Sequence, residues 1–120
     1  MGDPSTPPSM SRQVWLVVED RVLAAAEVAE GRSERTRGVI GRDRLDGAIV
    51  IRPCRWIHTF GVRFTLDVAY LDADGQVLKT LRMRRNRLGV PVWHARSVVE
   101  AEAGAFARWG LHVGDRIEIR

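Results

Sequence analysis

A carboxylate sits inside the most apolar strand-forming run of this chain, and that placement constrains the fold more than any other feature. The run Phe64–Leu71 carries Asp67 among Phe, Leu, Val, Ala and Tyr, and Asp72-Ala73-Asp74-Gly75 then reverses the chain. Gln76–Met83 is the return strand of this hairpin. Alternation places Leu66, Val68 and Tyr70 on one face, and Asp67, Ala69 and Leu71 on the other. Burying a carboxylate there costs several kcal/mol unless it is paired, roughly 2–7 even for an uncharged polar group. Arg63 or His58, or Arg35 and Arg37, are the expected partners of Asp67. Such a group makes either a structural ion pair or the polar floor of a pocket.

The segments around this hairpin are short and rich in β-branched residues. Val14–Val18 and Arg21–Val28 predict a second hairpin turning at Glu19-Asp20. Gly31–Gly41 predicts a helix with Ser33 as N-cap, Glu34 in the first turn and Gly38 in its interior. Ala48–Arg52 predicts a strand ended by Pro53, and Ile57–Phe60, Val92–Trp93 and Arg96–Ala101 predict further short strands. Gly104–Trp109 predicts a short helix with Phe106 and Trp109 on one face, closed by Gly110 with Leu111 in a Schellman contact. Ile117 and Ile119 alternate with charged residues in a final strand. The expected architecture is α+β, mainly antiparallel β, a sandwich or open barrel with two short helices. The chain reads as a disordered tail over residues 1–12 and one domain over residues 13–120.

The ordered set Glu34-Arg35, Arg37-Gly38, Leu66-Asp67, Leu71-Asp72, Asp74-Gly75, Glu100, Gly110, Gly114 and Asp115 resembles the DUF192 family over about residues 14–120. The resemblance implies a compact domain of mostly antiparallel strands with short helices, and no settled activity. Two departures stand out. Many members carry Gly-Leu-Met where this chain has Gly38-Val39-Ile40, and Trp-Met-Lys-Asn-Thr where it has Ile57–Arg63. His58 and Arg63 keep a cationic character where the family amine is lost.

Composition narrows the function classes. The net charge is +4, from 18 Arg and one Lys against 15 acidic residues dispersed among them. Arg82, Arg84, Arg85 and Arg87 form a basic run able to contact an anion, although without an interleaved aromatic platform for bases. Cys54 is the single cysteine, so no internal disulfide forms, in keeping with a cytoplasmic setting. No apolar run reaches the ~20 residues needed to span a bilayer, and no membrane role is expected. The spacing of Cys54, His58, His94 and His112 contains no local metal-ligand pair, so neither a metal nor a cofactor is expected.

The leading expectation is a non-catalytic binding or accessory module for a small anionic or polyhydroxylated ligand, with Arg35, Arg37, His58, Arg63 and Asp67 forming the pocket. The alternatives are a cysteine-dependent enzyme built on Cys54, His58 and Asp67, and nucleic-acid or protein binding through the Arg82–Arg87 loop.

Overall fold

The computed structural model describes residues 12–120. The expected tail lies outside the described residues except for Arg12, which opens the first strand. The elements are β1 (Arg12–Val18), β2 (Arg21–Ala29), α1 (Arg32–Arg37), β3 (Ala48–Ile51), β4 (Leu66–Leu71), β5 (Val77–Met83), β6 (Ser97–Glu102), α2 (Ala105–Trp109) and β7 (Ile117–Ile119). The strands form one seven-stranded sheet in the order β5-β4-β6-β3-β2-β1-β7. The sheet curls into an open barrel. Its two edges approach through a Gln76–Arg116 bridge, and Val77 N–H donates to Asp115 O at 2.8 Å. Gly75 stands at this closure with φ +85°, and a Cβ there would collide with the Ile117 carbonyl.

Both expected hairpins form, with β1 against β2 and β4 against β5. All pairings are antiparallel except β2–β3, which run parallel from Ala26 opposite Ala48 to Ala29 opposite Ile51. A parallel pair needs a long crossover. Residues 30–47 supply it and carry α1 across one face of the sheet. That route positions the cavity described below.

Two cores result, one on each face. The first gathers Leu16, Val28, Val50, Leu71, Val77, Val99 and Ile117 with Phe106 and Leu111. The second gathers Ile49, Ile51, Leu66, Val68, Tyr70 and Val98 beneath Val39, Leu45, Ile57 and Val62 from the connecting segments. With both faces covered, every residue of β3 and β4 is buried. At ~25 cal/mol per Å² of apolar surface, each fully buried Val or Leu here contributes roughly 1.5–3 kcal/mol.

The local readings differ from the structure in four places. The α1 cap is Gly31, not Ser33, and the Glu34 carboxylate accepts the Gly31 N–H at 3.2 Å. Gly38 ends α1 instead of lying inside it, and its φ of +47° turns the chain where a Cβ-bearing residue would be strained. Ile57–Phe60 is not a strand and keeps one bridge, His58 to Leu88. Val92–Trp93 is a turn, with Ala95 N–H donating to Val92 O. At Gly38 a glycine's freedom overrides local propensity, and at the two lost strands long-range contacts do so, Gly89 N–H to Ile57 O and Val92 N–H to Arg55 O.

Candidate functional site

Glu100 is the centre of the site. It lies mid-strand in β6, paired with Val68 of β4 on one side and Ile49 of β3 on the other. Its side chain therefore rises from the middle of the sheet on the face crossed by α1. There it helps to line a cavity of about 370 Å³. The remaining walls are Arg32 and residues 35–37 of α1, then Gly38–Ile40, Ile51, the Pro53–His58 segment and Val62. Glu100 is only 3% exposed. Among the described residues its carboxyl has no hydrogen-bond or ion-pair partner, and burial alone pushes its pKa up from 4.5 to about 7.

Three neighbouring groups share this environment. Arg35 donates from Nη1 to Pro53 O at 3.0 Å, while its buried Nε has no partner. The Cys54 thiol donates to Trp56 O at 3.2 Å. Burial raises its pKa, and Glu100 adds to the rise while Arg35 opposes it. Burial, then Cys54 and Glu100, push the Tyr70 hydroxyl up to about 12, and this buried hydroxyl also lacks a partner. Arg35, Cys54 and Glu100 thus line one cavity, and the Tyr70 phenol lies within electrostatic reach of the thiol and the carboxyl.

Trp56 and His58 line the cavity, and exposed Phe60 adjoins them. The rings of Trp56 and His58 lie 5.8 Å apart, and those of His58 and Phe60 lie 5.4 Å apart. His58 Nδ1 accepts the Phe60 N–H at 3.1 Å. Buried Thr59 ties this segment to the basic loop. Its hydroxyl donates to Arg84 O at 2.6 Å and accepts the Arg87 N–H at 2.8 Å.

With this geometry in view, the comparisons place the chain. A family model described as DUF192, uncharacterized ACR, matches residues 15–119. The chain belongs to the DUF192 family. No curated protein matches it. Two crystal structures are similar in fold. One, a protein of unknown function from Novosphingobium aromaticivorans, has a TM-score of 0.76 at 18% identity, with 98% of this chain and 93% of that one covered. The other, from Sinorhizobium meliloti and described as a "putative transcription regulator", has a TM-score of 0.77 at 20% identity, with 95% and 98% covered.

In this DUF192 domain, Arg35, Arg37 and His58 all line the cavity, whereas Arg63 and Asp67 do not. Arg63 donates to exposed Asp43 at 2.6 Å. Asp67 faces the opposite side of the sheet. It accepts the backbone N–H groups of Gly104 at 2.9 Å and Phe106 at 3.1 Å, and Arg82 Nε at 3.2 Å. It holds the start of α2, which has no side-chain cap of its own. The three side chains Cys54, His58 and Asp67 are not joined by hydrogen bonds. Of the basic run, Arg82 is tied to Asp67, Arg84 and Arg85 are exposed, and Arg87 bends back to the Arg85 and Asn86 carbonyls at 3.3 Å.

Glu100 escaped the sequence reading as a site residue, although the signal was present. It is a carboxylate flanked by Val98, Val99 and Ala101, the same conflict that singled out Asp67. Among the described residues no three His, Cys, Asp or Glu side chains gather as metal ligands. No helix is long and apolar enough to cross a membrane.

Proposed function

We propose that this DUF192 domain is a non-catalytic binding module whose cavity takes a small anionic or polyhydroxylated ligand. One observation carries the reading. A carboxyl buried almost completely, without a protein partner, faces a cavity bordered by several guanidinium groups. Buried ionisable groups are ordinarily paired, so an unpaired one in a cleft points to a group supplied from outside. The cavity volume suits a small molecule, within the roughly 300–1,000 Å³ usual for ligand pockets. The single, unpaired Cys54 is compatible with a reducing, cytoplasmic setting.

Amide chemical-shift mapping against a panel of phosphates, carboxylates and sugars tests the reading. Residues 35–40, 54–58 and 100 are expected to move together. A panel that leaves all of them unmoved would end the proposal.

A second reading has its own observation. Thr59 fastens the Trp56–His58–Phe60 row beside the backbone of the Arg84–Arg87 loop, where Arg84 and Arg85 are exposed. Single-stranded nucleic acids stack on such rings at about 1–3 kcal/mol per base. Binding of an oligothymidylate in 20 mM salt, lost by 200 mM and weakened by Trp56→Ala, is the outcome this reading requires. No binding at low salt rejects it.

A further inference from the structure

We infer that the cavity is built for a ligand that is at once anionic and hydroxylated, its anionic group held by Arg35 and a hydroxyl donor held by Glu100. The inference rests on the binding-module reading above and narrows it. Arg35 and Glu100 line the same cavity and both act on the Cys54 thiol, yet they form no ion pair with each other. Two features keep them apart. Arg35 is held toward the Pro53 carbonyl. Glu100 rises from the sheet under the end of α1, where a Cβ at Gly38 would lie 3.9 Å from its Oε1.

The result is a cavity lined by both a guanidinium and an unpaired carboxyl. Arg35 lines the cavity with a guanidinium whose Nη1 already donates to the Pro53 carbonyl, and its other terminal nitrogen supplies the donors for an anion. The Glu100 carboxylate offers acceptor oxygens that nothing in the protein uses. At pH 8, where Glu100 is ionised, a simple anion satisfies the first and faces repulsion from the second, because like charges in a buried site disfavour each other. A neutral polyol satisfies the second and leaves the guanidinium unanswered. A hydroxylated anion, such as a sugar phosphate or sugar acid, satisfies both. Val39, Ile51, Ile57 and Val62 also line the cavity, suited to a short carbon skeleton.

Calorimetric titration with matched probes decides the matter. Glycerol 3-phosphate carries both groups, n-propyl phosphate only the anion, and glycerol only the hydroxyls; gluconate, hexanoate and sorbitol repeat the comparison for a carboxylate. In one of the two sets, the hydroxylated anion is expected to bind at least about tenfold tighter than either partner, as a charge-assisted hydrogen bond implies. Glu100→Leu abolishes that preference while retaining the anion's own affinity, and the isosteric Glu100→Gln reduces it. In the wild type, the Glu100 carboxyl ¹³C signal moves with the hydroxylated anion and not with the simple one. This signal reports even where a variant folds poorly. Equal affinities within both sets, or a preference that survives Glu100→Leu, overturns the inference and leaves the binding-module reading standing. If no probe binds, both fall.

Discussion

Asp67→Ala is expected to cost about 3 kcal/mol of stability, although Asp67 lies on the far side of the sheet from the cavity. The substitution orphans two backbone donors, the N–H groups of Gly104 and Phe106, the second of them buried. Each unsatisfied buried donor costs roughly 1–3 kcal/mol. Helix α2 spans only Ala105–Trp109 and begins on a glycine, so it cannot offer its own first turn a side-chain cap. A strand residue nearly forty positions earlier performs that role instead. Urea denaturation of Asp67→Ala, Asp67→Asn and Arg82→Ala separates the contributions. The asparagine variant should keep one acceptor and lose about half as much. Arg82 is 59% exposed, so its removal should cost less than about 1 kcal/mol. A loss below about 1 kcal/mol for Asp67→Ala would show that α2 does not depend on this carboxylate.

The second large effect is a pH dependence that runs opposite to that of an ordinary paired acid. Burial raises Glu100 from 4.5 to about 7. Between those values the folded protein retains a proton that the unfolded chain releases. The folded state therefore binds more protons, and stability contributed by this group falls as pH rises. The contribution is fully present below pH 4.5, declines through pH 7 and is flat above it. Its total is about 3 kcal/mol, at roughly 1.4 kcal/mol for each tenfold change. Glu100→Gln removes the titration. Relative to wild type, the variant should gain that amount by pH 8 while differing little at pH 4. Other titrating groups cancel in the difference between the two proteins. A wild-type–variant difference that is constant from pH 4 to pH 8 would refute the buried placement of Glu100. With a hydroxyl ligand bound, the carboxylate gains a donor, so ligand should restore stability chiefly at the high end of this range.

Much of the architecture was legible because it is written locally. The β4–β5 hairpin follows from alternation and the Asp72–Gly75 reversal, and the end of α2 follows from Gly110 and Leu111, whose N–H reaches Phe106 O at 3.0 Å. The parallel β2–β3 pair was not legible. Its determinants are spread over the whole crossover, and no residue type marks a strand as parallel.

The candidate site shows the same division. Arg35, Arg37 and His58 were grouped by chemistry, and the crossover does bring them to one cavity. Asp67 was correctly marked as a carboxylate in need of a partner. None of Arg63, His58, Arg35 and Arg37 is that partner; Arg82, Gly104 and Phe106 reach it through the sheet and the β6–α2 corner. Glu100 posed the same physical problem in a less conspicuous strand, and only the covering of its face by α1 distinguishes it from a surface glutamate.

The closure at Gln76 and Arg116 has a consequence for how the molecule is made. Residues 114–119 join β1 at one edge and reach the start of β5 at the other. Strands separated by about a hundred positions meet there, the kind of non-local contact that slows folding. While the ribosome is still holding those residues, β1 presents an open edge available to other nascent chains. The most vulnerable interval is thus the time before residues 114–119 dock, which turns an edge-bearing intermediate into an open barrel.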